Sequence, residues 1–131
     1  KNFDSDRVIF LDPLNLNQFI NHLGTSSVLL DPIYFGSGNS FHESMFYGTQ
    51  TVTCPSNYIK SRIVSAAYIQ MEVKKPPIVK NKDDYVNKAI EIANDENILD
   101  EKKYYQQAAN EKLFNTKDVG EKFNSILKKL F

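Results

Sequence analysis

"SVLLDPIYFGSGNSFHESMFYGTQTVTCP", residues 27–55, is the stretch on which the fold turns. It opens with "SVLLDP" (27–32) and closes with "QTVTCP" (50–55), two short runs rich in aliphatic and β-branched residues. Both are continuous rather than alternating. Continuous runs mark strands covered on both faces, as in a parallel sheet, whereas a half-exposed antiparallel strand alternates. Between them lie a glycine-bearing loop and "SFHESMFYG", which fits a short helix closed by Gly48. Strand, helix and strand in this order predict a right-handed crossover between parallel strands.

The same alternation continues outward on both sides. "RVIFLD" (7–12) is a third such run, and Leu16, Phe19, Ile20 and Leu23 follow it at i, i+3, i+4 and i+7, ending at Gly24, a suitable helix C-terminus. After residue 55, Ile59, Ile63, Ala66 and Ala67 mark another helix, and "KKPPIVK" (74–80) can add a short fourth strand with its prolines at the start. The expected architecture is α/β: three layers, α/β/α, with a parallel sheet of three to four strands.

Charge divides the chain. Residues 1–70 hold four Lys or Arg and five acids, and residues 71–131 hold twelve and eleven, so the first part is built for burial and the second reads as helices. "DDYVNKAIEIAND" puts Tyr85, Ala89, Ile92 and Ala93 on one face behind an acidic start, and Glu96 to Lys112 continues in that manner. In "NTKDVGEKFNSILKKLF", Asn115 and Asp118 are spaced as a capping pair before a stripe of Val119, Phe123, Ile126, Leu127 and Leu130. We expect a single domain over 1–131, with sheet and crossover helices in 1–80 and C-terminal helices in 81–131.

The 131 residues, 41% of them hydrophobic, suffice for one core that hides roughly two-thirds of the unfolded surface. Sixteen cationic and sixteen acidic residues cancel, so no overall field draws nucleic acid or an anionic membrane. A single cysteine, Cys54, excludes an internal disulfide and a multi-cysteine zinc site, fits a reducing compartment, and reads as a small buried hydrophobe. No apolar run nears the ~20 residues of a membrane helix, so a soluble, cytoplasmic protein is expected. The chain starts at Lys1 and is apolar within seven residues, as a piece of a longer protein would be.

The chemistry concentrates in "DPIYFGSGNSFHES" (31–44). In an open parallel sheet, ligands bind beyond the carboxyl ends of the strands, where loops lead into helices. Gly36 and Gly38 allow close backbone approach, and Asn39 or Ser40 then opens a helix whose first amides lack internal partners, an arrangement that suits phosphate. Glu43 has two readings. "SFHE" is Ser-x-x-Glu, a capping box in which Glu43 bonds back to the amide of Ser40, and the residues alone favour it. The other reading has Glu43 accepting from ribose hydroxyls. The spacing matches neither a P-loop nor the Gly-x-Gly-x-x-Gly fingerprint. His22 and His42 have no partner spaced for a triad or a metal pair, and Arg62 reads as an ion-paired or exposed cation, with a phosphate role as the other option.

"RVIFLDPLN", "SSVLLDPIYFGSGNSFHESMFYGTQTVTCPS", "SRIVSAAYI" and "LFNTKDVGEKF" resemble, in that order and over nearly the whole chain, the carboxyl-terminal catalytic lobe of the O-linked N-acetylglucosamine transferase / SPINDLY glycosyltransferases. The resemblance implies a Rossmann-like lobe of the two-lobed GT-B fold, which binds the nucleotide-sugar donor, of UDP-GlcNAc type, without a metal or other cofactor. Gly38, Asn39 and Ser40, with Ser37 beside them, match the loop that faces the diphosphate. Glu43 matches the ribose-binding acid, a role that need not exclude the cap in another state. Phe19 falls where relatives often place a histidine beside the uracil, and Leu16 where a polar base contact is usual. Phe19's spacing favours core packing, and stacking on the base is its other role.

The implied activity is inverting sugar transfer, with protein Ser/Thr among the acceptors. No catalytic residue is expected in this stretch, since the family's phosphate-binding cation and amino-terminal lobe lie upstream. The stretch alone is expected to be inactive, to lack its partner lobe, and to expose the closing helix's apolar face or self-associate through it. Two other classes stay open: a non-catalytic α/β interaction module, and a two-lobed sugar-nucleotide enzyme of other chemistry, such as an epimerase.

Overall fold

In the computed structural model, which describes residues 5–130 (Asp118 in its backbone only), the expected parallel pair is present. β1 (Leu29–Leu30) lies beside β2 (Thr51–Val52), with Leu29 opposite Thr51 and Leu30 opposite Val52. Beyond β2 the sheet gains one parallel bridge, Thr53 to Ile78: the Thr53 amide donates to Pro77 and the Val79 amide to Thr53. Pro76 and Pro77 precede the bridge, which confines the fourth expected strand to one residue, because a proline cannot donate to a ladder.

The strand expected over 7–12 is not formed. Ser5–Arg7 make a turn of 3-10 helix, no regular element follows up to Asn15, and Val8, Ile9, Phe10 and Leu11 are exposed, Phe10 at 93%. A strand is held by pairing, and no described residue offers this run an edge. The sheet is therefore two strands and a bridge rather than three to four strands, in an α/β chain dominated by helices.

Six α-helices are formed among the described residues. α1 (Leu16–Thr25) opens with a capping box between Asn15 and Gln18, two bonds of 3.0 Å, and it buries Leu23. It runs one residue past Gly24, whose role is close contact: a Cβ there would lie 2.7 Å from the Tyr47 ring. α2 (Asn39–Met45) buries Phe41, Ser44 and Met45, and the turn after it closes at Gly48 with φ +68°. α3 (Ile63–Met71) is preceded by a 3-10 turn over Ile59–Ser61. Its buried face is Val64, Ala67, Tyr68 and Met71; of the expected stripe Ala67 alone is buried, while Ile59 is 86% exposed and Ile63 and Ala66 also face out. Nearly every position of α3 is apolar, so spacing alone does not choose the inner face.

α4 (Lys82–Ala93) is capped by Asn81, whose side chain accepts from the Asp84 amide, and it buries Ile92. α5 (Ile98–Ala108) runs into a π-helical turn, Ala109–Leu113, and α6 (Thr116–Leu130) closes the chain. Asn115 accepts from the Lys117 amide at 3.2 Å, while the Asp118 half of the expected capping pair lies outside the described side chains. The apolar stripe of α6 is exposed, with Val119 and Phe123 at 61% each.

The main core lies between α2, α3 and α5. Phe41, Met45, Val64, Tyr68 and Tyr105 meet there, and Phe41 and Tyr68 pack edge to face at 5.1 Å. Each fully buried large side chain contributes about 1.5–3 kcal/mol. A smaller cluster of Val52, Val79 and Ile92, with the half-buried Cys54 against it, covers the other side of β2. Lys102 of α5 donates to the Gly24 and Ser26 carbonyls at 2.7 Å each, closing the end of α1, and burial lowers its pKa from the ordinary 10.5. No helix among the described residues is long and apolar enough to cross a membrane.

Candidate functional site

The loop after β1 is organised by Asp31, a buried acid only 2% exposed. Its Oδ1 accepts the Ser37 amide at 2.6 Å, and its Oδ2 accepts the Thr53 hydroxyl at 2.6 Å. Its carbonyl accepts the Tyr85 hydroxyl of α4 at 2.8 Å. Burial, reinforced by the nearby Asp31 charge, pushes the Tyr85 phenol up to about 12. The carboxylate forms no ion pair among the described residues. It is satisfied instead by a backbone amide and a hydroxyl, the condition under which a buried charge is tolerated.

Gly36 shows why this loop needs its first glycine. The Gly36 amide donates to the Lys60 carbonyl at 2.8 Å, and a Cβ at this position would lie 3.0 Å from that oxygen and 3.4 Å from Asp31 Oδ1. Gly38 differs. A Cβ there would meet nothing within 4 Å, so the space beside it is open.

α2 starts at Asn39 with Gly38 as its N-cap (φ −97°, ψ −86°) and no side-chain cap. The amides of Asn39, Ser40 and Phe41 precede the first helical bond, which the His42 amide makes to Gly38, and find no partner among the described residues. The capping box expected of Ser40 and Glu43 is therefore not made: the helix begins two residues earlier than that box requires, with Gly38 in the cap position. The Glu43 carboxylate, on a half-buried residue, makes no hydrogen bond or ion pair among the described residues. His42 Nδ1 lies 2.9 Å from the Gly38 carbonyl, which can only accept, so this nitrogen carries the proton.

The structure thus brings Ser37, Gly38, Asn39, Ser40 and Glu43 together within one loop and one turn of helix. Asn39 is exposed, and Ser37, Gly38 and Ser40 are half-buried. Phe19 lies on α1, half-buried, and forms no ring contact with this loop among the described residues. Arg62 is exposed at the head of α3 and forms no ion pair among the described residues. It lies across a cleft of about 500 Å³ from His42, walled largely by Ile59, Ile63, Ala66 and Leu113.

Sequence reasoning passed over Asp31 and Thr53 as site residues. The available signal was an acid placed at the carboxyl end of a continuous apolar strand, directly before Pro32. An acid there is either exposed at the strand tip or buried to bond a turn. Among the described residues no group of three or more His, Cys, Asp or Glu side chains is placed to hold a metal ion. No protein-family model and no curated protein matches the chain.

Proposed function

We propose that this chain is the donor-binding, Rossmann-like lobe of a GT-B glycosyltransferase, taking a nucleotide-sugar of UDP-GlcNAc type for inverting, metal-independent transfer. One observation carries the reading. A glycine loop pinned by Asp31 leads into amides of Asn39 and Ser40 that are unpaired among the described residues, one turn of helix before Glu43, whose carboxylate is likewise without a partner there. The resemblance to the O-linked N-acetylglucosamine transferase / SPINDLY enzymes supports the same reading.

The chemistry follows from charge. In an inverting transfer the bond from sugar to diphosphate breaks as the acceptor oxygen attacks, and negative charge grows on the leaving diphosphate. Fixed N–H dipoles aimed at that charge lower the barrier without reorganising. The Asn39 and Ser40 amides would supply them, and open space at Gly38 lets the phosphates approach the backbone. Glu43 would accept the ribose hydroxyls and fix the nucleoside. The phosphate-binding cation and the groups that handle the acceptor would come from upstream of this stretch in the complete enzyme, where the amino-terminal lobe also lies.

Calorimetric titration with UDP and UDP-GlcNAc tests this. A charged acceptor's hydrogen bonds are worth about 1.5–3 kcal/mol, so Glu43→Ala should weaken UDP at least tenfold. Equal affinity of both proteins would remove Glu43 from the site. A second reading, a non-catalytic α/β interaction module, is favoured by Leu16: it is 63% exposed where a polar base contact would be expected. On that reading neither ligand binds.

A further inference from the structure

We infer that Asp31 is the positioning residue of the donor loop: its carboxylate, untouched by ligand, sets the conformation in which the Gly38–Ser40 backbone meets the diphosphate. The inference rests on the donor-binding reading above.

The loop from Pro32 to Ser37 has little else to hold it. Tyr34 and Phe35 are 78% and 68% exposed and bury little apolar surface. Among the described residues two hydrogen bonds tie its backbone to the body of the protein: the Gly36 amide to Lys60 and the Ser37 amide to Asp31 Oδ1. The second is charge-assisted and short, the stronger type. Through Oδ2 and its own carbonyl, Asp31 joins the loop to Thr53 beyond β2 and to Tyr85 of α4. One buried residue therefore links β1, the loop, the sheet and α4. A flexible loop would reach its binding-competent form only part of the time, and apparent affinity falls in proportion to that fraction.

The experiment pairs amide hydrogen exchange with UDP titration on the whole chain. In Asp31→Ala the Ser37 amide loses its acceptor directly, so the informative probe is the Gly36 amide, whose Lys60 acceptor is untouched. We expect at least tenfold faster exchange at Gly36, unchanged exchange at buried Tyr68 of α3, and at least tenfold weaker UDP binding. Asp31→Asn should stay within about threefold on both measures, because the amide can accept from Ser37 and donate to the Thr53 oxygen. If Asp31→Ala does not fold, Gly36→Ala perturbs the loop with Asp31 in place. Its Cβ crowds the Lys60 carbonyl, and it should speed the Ser37 amide and weaken UDP in the same proportions.

Exchange accelerated at Ser37 but not at Gly36 would overturn the role, as would a loosened loop that binds UDP unchanged, or Asp31→Asn as damaging as Asp31→Ala. Absence of UDP binding by the unaltered chain would remove the donor-binding reading and leave exchange at Gly36 to decide the positioning role by itself.

Discussion

Tyr68→Phe isolates one hydroxyl at the centre of the fold. The Tyr68 oxygen accepts the Thr51 amide at 2.7 Å and donates to the Thr51 carbonyl at 3.1 Å, and both residues are buried. The bridge to Ile78 joins the chain only at Thr53, just past β2, so the hydroxyl takes the place a neighbouring strand would fill at Thr51. Phenylalanine keeps the ring contacts to Phe41 and Tyr105, at 5.1 and 5.8 Å. What it removes is the partner of two buried backbone groups, each costing about 1–3 kcal/mol when left unsatisfied. Thr51 Oγ1 is itself buried without a partner and offers no evident rescue. For the two groups a loss of about 2–6 kcal/mol follows. In urea, with an m-value of about 2 kcal/mol/M, the midpoint should fall by about 1–3 M. Far-UV circular dichroism reads this in a chain without tryptophan. A loss under about 0.5 kcal/mol, below the ordinary net value of a hydrogen bond, would refute the reasoning.

Three further outcomes follow from the same structure. Gly48→Ala should destabilise by more than about 3 kcal/mol, since a Cβ would lie 1.8 Å from the Lys102 carbonyl at a positive φ; an unchanged melting temperature would contradict the close approach. Burial raises the phenols of Tyr68 and Tyr105 and lifts Tyr85 to about 12, so these groups stay protonated in the folded chain while the unfolded chain ionises near 10. Their contribution is full below pH 10 and declines as pH rises above it, through about 12 for Tyr85 and beyond that for Tyr68 and Tyr105. Melting temperature should therefore fall across that window, and a flat profile would argue against it. The exposed α6 stripe should drive concentration-dependent association that Phe123→Asp abolishes; sedimentation showing only monomer at every concentration counts against that.

The elements that could be read in the sequence were those whose pattern has one solution. α1 and α6 have a single apolar stripe each, and the continuous runs around residues 29 and 51 made a parallel pair the economical answer. Elements that depend on a partner elsewhere could not be read that way. "VIFL" at 8–11 has strand composition, but a strand exists only beside another. α3 is apolar almost all round, so its inner face is chosen by Phe41 and Tyr105 packing against Tyr68 rather than by periodicity. At the site, the Ser40–Glu43 spacing permits a capping box. Gly38 took the cap position instead, because Asp31 holds Ser37 and the chain turns into helix immediately after it. That bond spans six residues and depends on burial, which no local motif reports.

The amides of Gly38, Asn39 and Ser40 offer the most direct test of the donor site. In a nitrogen-15 spectrum of the chain, UDP should shift these three resonances, with Glu43 responding alongside, while uridine without phosphates should leave the three nearly unmoved. Shifts confined to other residues, or equal shifts with uridine, would contradict a diphosphate held on this loop.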